Sequence, residues 1–330
     1  MSFGDFYRGR RVLLTGDTGF KGAWLARWLE LLGADVVGLA LPADTTPALT
    51  HVLGLRERLP CFDVDIRDER AVVDVFASAQ PELVMHLAAQ PLVRASYRAP
   101  VDTFATNVMG TAHVLEAIRT TSSVRAALVV TTDKVYENRQ WPWPYREHDA
   151  LGGHDPYSAS KAAAEIVVAS YRRSFFADGP RVVVARAGNV IGGGDWAAER
   201  LVPDIVRAIG AEVAVELRHP DAVRPWQHVL DANAGYLHLL WRVATSTLAE
   251  HAFNFGPDDD VPLTVGVLAQ RFVDVFGRGR VVERRDASAP HEAHLLRLDS
   301  SLARSVLGWR PAWSTATTLT RTAEWYRCHL

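Results

Sequence analysis

The chain has 330 residues, which suits about two domains. Its 48% hydrophobic and 22% charged residues exclude an extended disordered protein. With 36 basic and 38 acidic side chains the formal net charge is -2, too balanced for a general nucleic-acid-binding field. The two cysteines, Cys61 and Cys328, make no disulfide framework, so a cytoplasmic compartment is expected. The first residues lack the basic-then-apolar order of a signal peptide, and no apolar run reaches the roughly 18 residues of a membrane span, so no membrane partner is expected either.

In chain order, residues 11–15 read as a buried strand. Thr15-Gly16-Asp17-Thr18-Gly19-Phe20-Lys21-Gly22 and a helix from Ala23 follow directly. Glycines there permit a tight turn and close backbone approach, and the helix N-terminus offers N–H groups to a pyrophosphate. The expected contacts to a dinucleotide are Gly16, Thr18, Gly19, Phe20, Lys21 and Gly22. A second strand at 35–41 ends without a ribose-binding acid, the nearest being Asp44, and no basic residue stands there for a 2'-phosphate.

A short third strand at 61–65 precedes a helix that Asp68 can cap. Strands at 83–87, 128–132 and 181–186 and helices near 107–120 and 156–176 complete a βα rhythm. The expected fold is α/β: a Rossmann-type doubly wound parallel sheet with a smaller, mainly C-terminal substrate-binding lobe. The boundaries read as 1–187 and about 223–255 for the dinucleotide-binding domain, with about 188–222 and 256–330 for the lobe.

The fifth strand runs into Thr131-Thr132-Asp133-Lys134, at the carboxyl edge where such sheets place their chemistry. In Asp155-Pro156-Tyr157-Ser158-Ala159-Ser160-Lys161 the acid can cap a helix and proline suits its first turn. Tyr157 and Lys161 then share a face, so an ammonium can favour a phenolate base. Thr132 can donate to a substrate oxygen beside Tyr157, and Asp133 with Lys134 adds enough acid–base capacity for elimination. His291 and His294 are three apart, yet no His-Glu-x-x-His or clustered set makes a metal site. Trp141 and Trp143 are placed as a lid over the substrate.

The Gly-x-x-Gly-x-x-Gly spacing resembles the short-chain dehydrogenase/reductase superfamily. Gly19-Phe20-Lys21-Gly22, Ala88-Ala89-Gln90-Pro91-Leu92-Val93-Arg94, Thr132-Asp133-Lys134, Arg224-Pro225-Trp226 and His291-Glu292-Ala293-His294 resemble the CDP-D-glucose 4,6-dehydratases within it. Related dTDP-glucose enzymes carry Thr-Asp-Glu where Thr132-Asp133-Lys134 stands here.

The resemblance implies tightly bound, recycled NAD, with Asp65, Ile66, Leu87, Ala88, Ala89, Asn107, Tyr157 and Lys161 among its contacts. It implies a nucleotide-sugar substrate, CDP-D-glucose favoured, with Gln90, Arg94, Asn189, Arg200, Arg224, Asn254 and His291 as substrate contacts. Tyr157, Thr132 and Lys161 would serve C4 oxidation, Asp133 would protonate the departing 6-hydroxyl, and Lys134 would contribute to the C5/C6 elimination. Hydride return to C6 gives a 4-keto-6-deoxy sugar nucleotide. A homodimer is implied on the same ground. A sugar-nucleotide 4-epimerase and a non-catalytic nucleotide sensor are the alternatives.

Overall fold

The computed structural model describes residues 5–258, 263–285 and 293–329. Thirteen strands occur among them: β1 Arg11–Thr15, β2 Asp35–Ala40, β3 Cys61–Asp63, β4 Leu83–His86, β5 Ala126–Val130, β6 Arg181–Ala187, β7 Asn189–Ile191, β8 Val215–Leu217, β9 Val223–Arg224, β10 Trp226–His228, β11 Ala252–Phe255, β12 Leu263–Thr264 and β13 Val281–Glu283. Seven form one sheet in the order β11-β6-β5-β4-β1-β2-β3. Every pairing in it is parallel, as the predicted α/β class requires. The order reverses between β1 and β4, which opens a crevice beyond their carboxyl ends.

Alternate residues of the central strands feed two separate cores, because neighbouring side chains leave a strand on opposite faces. Val12, Leu14, Leu128 and Val183 pack with the helices Phe20–Leu31 and Val229–Thr245 on one face. Leu13, Ala127, Val129 and Val182 pack on the other with Val114, Leu115 and Val168. A third core gathers Ile205, Leu217, Trp226, Phe272 and Leu319, beside three two-stranded sheets, β10-β7, β12-β9 and β13-β8.

Local signals set the helix starts. Asp68 accepts from the Ala71 N–H at 3.0 Å and Asp155 from the Ser158 N–H at 3.0 Å. Pro156 occupies the first turn of Pro156–Phe175, where its missing N–H costs nothing. The helix expected from about 107 starts earlier, at Pro100, and passes through a π-turn at Ala105–Met109 before Gly110–Thr120. The fifth strand ends at Val130, two residues before its expected end, and Thr132 instead caps a 3-10 turn at Asp133–Val135 by accepting from the Lys134 N–H. Among the described residues no helix is long and apolar enough to cross a membrane.

Candidate active site and its relatives

A cleft of about 590 Å³ opens at the sheet's carboxyl edge. Its floor begins at the turn after β1. Gly16 has φ +79, and a Cβ there would sit 2.7 Å from the Ala88 nitrogen. A Cβ on Gly22 would lie 2.0 Å from the Gly16 carbonyl oxygen, so only glycine lets the helix start so close to the turn. Gly19 caps that helix with no side-chain hydrogen bond, which leaves its first N–H groups for an anion. Gly16, Thr18, Gly19, Phe20, Lys21 and Gly22 all line the cleft, and so do Asp65, Ile66, Leu87, Ala88 and Ala89. This cradle fits a dinucleotide. We expect Gly22→Ala to cost about 1–3 kcal/mol by overpacking and to strip the purified protein of dinucleotide, checked by thermal unfolding and cofactor content.

The second-strand end has no acid in the expected place, as the sequence reads. Thr18 donates to the Leu41 carbonyl at 2.9 Å, and Asp44 lines the cleft beside Leu41 and Pro42.

Thr132, Asp133, Lys134 and Tyr157 line the same cleft. The Thr132 hydroxyl donates to Asp133 Oδ1 at 3.0 Å and stands near enough to the Tyr157 phenol to draw its pKa down. Asp133 is buried, and its Oδ2 has no hydrogen-bond partner among the described residues. Burial raises its carboxyl above the usual range, opposed by Lys134, Thr132 and Arg224. Burial likewise pushes the Tyr157 phenol up to about 12, against the pull of Thr132. The backbone N–H of Tyr157 donates to Ser96 Oγ at 3.1 Å. Lys161 is buried one turn behind and donates to the Val130 carbonyl at 3.0 Å; burial lowers its amine to about 8. Lys21 is lowered to about 7 by burial and by the nearby cations Arg200 and Lys161.

Arg94, Asn189, Arg200 and Arg224 line the same cleft. Arg200 donates to Asp195 Oδ2 at 3.0 Å; burial opposes its charge, and Asp195 outweighs that effect. Asp195 is a lining residue the sequence reading passed over, although it stands five residues before the predicted Arg200. His291 lies outside the described residues.

Several expected contacts are engaged elsewhere in the structure. Asn254 is fully enclosed and spent on structure: its Oδ1 accepts from Tyr136 at 2.7 Å and its Nδ2 donates to the Tyr145 and Asp299 carbonyls. Gln90 is absent from the cleft lining. Its Nε2 donates to Thr103 at 2.9 Å and its Oε1 accepts from the Leu92 N–H at 2.6 Å. Asn107 sits behind the cleft, not on it, bonding the Gln90 backbone in both directions and donating to Ser160 Oγ at 2.9 Å. A short amide in a π-turn is the right length to tie the fourth-strand loop to the Tyr157 helix. Trp141 and Trp143 form no lid: Trp141 stacks on Tyr145 with centroids 5.4 Å apart, Trp143 is 67% exposed, and neither lines the cleft.

The family model for GDP-mannose 4,6 dehydratase matches residues 13–322. A CDP-glucose 4,6-dehydratase of Salmonella typhimurium is 43% identical, over 98% of this chain and 92% of its own. A dTDP-glucose 4,6-dehydratase of Streptomyces antibioticus is 33% identical, over 96% of this chain and 92% of its own. Among solved structures, the dTDP-glucose 4,6-dehydratase of Streptomyces venezuelae, with NAD bound, superposes with TM-score 0.84 at 26% identity, covering 96% of this chain and 97% of that one. The UDP-glucose 4-epimerase of Thermus thermophilus, also with NAD, gives TM-score 0.84 at 25% identity, covering 97% and 100%. The chain is a member of the GDP-mannose 4,6 dehydratase family over almost its whole length.

Proposed function

We propose that the protein is a hydro-lyase that dehydrates CDP-D-glucose to the 4-keto-6-deoxy sugar nucleotide. The observation that carries this reading is the buried Asp133 carboxyl, hydrogen-bonded to the Thr132 hydroxyl on the same cleft wall as Tyr157. An acid one residue beyond the substrate-facing hydroxyl has no task in simple epimerisation and a clear one in protonating a departing 6-hydroxyl. A carboxyl raised by burial is the form that donates a proton. NAD, when bound, supplies the acceptor for hydride from C4 and its return to C6.

Within this reading Tyr157 takes the C4 hydroxyl proton, and Thr132 orients that oxygen. Lys161 lends positive charge that favours the phenolate. Lys134, on the cleft wall, serves the C5/C6 elimination. Arg94, Asn189, Arg200 and Arg224 hold the nucleotide diphosphate side of the substrate, the guanidinium fork suiting paired phosphate oxygens. Two of the small sheets, β10-β7 and β12-β9, carry Asn189 and Arg224 and support a substrate lobe beside a dinucleotide-binding domain. The CDP base follows the 43% identical Salmonella relative, a CDP-glucose 4,6-dehydratase.

A homodimer accords with the exposed apolar side chains Phe104, Met109, Ile166 and Phe175 on the helical segments flanking the Tyr157 site. A cytoplasmic setting accords with two free thiols, Cys61 and Cys328.

The test is incubation with NAD and CDP-, dTDP-, UDP- and GDP-glucose, followed by product mass. Loss of one water from CDP-glucose alone is the expected result. Water loss from another member keeps the reaction and overturns the base, whereas an isomer of unchanged mass favours an epimerase.

A further inference from the structure

Buried strands of a parallel sheet have little room for charge, yet β6 carries Arg186, whose side chain is 4% exposed. Its partner Glu165 is equally enclosed and stands one turn beyond Lys161 on the Pro156–Phe175 helix. Tyr157, Lys161 and Glu165 therefore follow one another along a single helix face. The Arg186 Nε donates to both carboxylate oxygens, at 2.9 and 3.0 Å, and its Nη2 donates to Oε2. The same carboxylate accepts the Thr131 hydroxyl at 2.6 Å. Arg186 Nη1 reaches the other end of the catalytic turn, donating to the Tyr136 hydroxyl at 2.8 Å and the Glu147 carbonyl at 3.0 Å. Thr131 directly precedes Thr132, and Tyr136 follows the Asp133–Val135 turn, so the turn is held at both ends.

We infer that Glu165 and Arg186 are positioning residues: their ion pair fixes the turn bearing Thr132 and Asp133 against the helix bearing Tyr157 and Lys161, and sets the Glu165 carboxylate one helical turn from Lys161. The inference rests on the reading of those four residues as the reacting set. Neither Glu165 nor Arg186 lines the catalytic cleft, so both act through their neighbours. A buried ion pair is weak evidence for stability, since an apolar pair of equal volume often serves as well. An apolar pair could not supply the directed bonds to Thr131 and Tyr136.

Lys161 is faced by Tyr157 and Glu165 from its own helix, by His86 of β4, and by Lys21 of the glycine loop. Burial pushes His86 down to about 3, so it is neutral and adds no charge near neutrality. Burial also lowers Lys161, and Glu165 is the group that opposes it. Loss of the Glu165 charge thus moves Lys161 lower still. At a given pH near neutrality less of it is charged, and Tyr157 loses part of the cation that favours its anion.

Two sets of variants test this. Thr131→Val keeps the side-chain shape but cuts the tie to Glu165; kcat is expected to fall about 10- to 100-fold, with KM and NAD content unchanged. Thr131→Ser restores the hydroxyl and is expected to recover most of the loss. The double variant E165Q/R186Q removes both charges together, because either change alone leaves a buried unpaired charge. In it the alkaline limb of kcat is expected to move to lower pH. Tyr157 ionisation, read as the tyrosinate absorbance difference between each protein and its Y157F form, is expected to move to higher pH.

Wild-type kcat in Thr131→Val overturns the positioning role. An unmoved alkaline limb together with an unmoved tyrosinate titration overturns the electrostatic one. Where the parent protein turns over no nucleotide sugar, the proposed function fails, and the tyrosinate titration, which needs no turnover, still decides the inference. The Thr131 pair carries the test if the double variant does not fold.

Discussion

Asp133→Asn is expected to lower product formation by about 100- to 10,000-fold while leaving substrate binding intact. The carboxyl is buried, its Oδ1 already accepts from Thr132, and its Oδ2 has no partner among the described residues. Asparagine reproduces the shape and can still accept from Thr132 through its amide oxygen. What it cannot do is deliver a proton to a departing hydroxyl. The variant should therefore stall after oxidation, and rapid quenching with mass analysis should find a sugar nucleotide that has lost two hydrogens and kept its water. Ordinary yields of the dehydrated product would remove Asp133 from the elimination.

Tyr157→Phe is expected to cost a similar factor, about 100- to 10,000-fold in kcat, and to stop the reaction one step earlier. The ring keeps its place at the start of the Pro156–Phe175 helix, and the backbone N–H still donates to Ser96, so KM should change little. With the phenol gone, nothing positioned by Thr132 takes the C4 hydroxyl proton. Quenched mixtures should contain only starting material, which separates this variant from Asp133→Asn.

The parent enzyme should show the matching pH dependence. Burial pushes the phenol up to about 12 against the pull of Thr132 and Arg200, so catalysis near neutrality relies on further positive charge beside it. The rate rises with pH as Tyr157 deprotonates. It falls again as Lys161, lowered to about 8, loses its proton and the phenolate loses its cation. A rate that keeps climbing well above pH 8 would exclude Lys161 as that cation.

The sheet was legible because its signals are local. Largely apolar runs at 11–15, 83–87 and 181–186 are strands because residues buried on both faces are mostly apolar, with Arg186 a paired exception. The Asp68 and Asp155 caps were equally plain, since a cap is read from a few consecutive residues. The glycine turn and the Tyr157–Lys161 pair were legible for the same reason. The ends of elements were less so: β5 stops at Val130 because Thr132 spends its side chain capping the next turn, a competition that apolar periodicity does not register.

Asn254, Gln90 and Asn107 show where local reading fails. Each is a polar residue of the right type near the right strand, yet each is engaged by other protein groups: Asn254 donates to the Tyr145 carbonyl across 109 positions, Asn107 donates to the Ser160 hydroxyl across 53, and Gln90 bonds the Thr103 hydroxyl and the Leu92 N–H nearby. Whether an amide faces a cleft or a carbonyl depends on which loops meet it. The Trp141–Trp143 pair erred in the same way, because Tyr145 and the loop around Leu296 and Leu298 offered a packed partner that sequence proximity to the site could not reveal.

By itself the sequence determined the parallel sheet, the glycine turn after the first strand and the shared helix face of Tyr157 and Lys161, since these depend on periodicity and short spacings fixed by backbone geometry. Only the tertiary structure decided which polar side chains reach the cleft, how burial shifts Asp133, Tyr157, Lys161 and Lys21, and that Arg186 and Glu165 bracket the catalytic turn. Desolvation and long-range hydrogen bonds exist only once distant segments pack, and no local pattern encodes them.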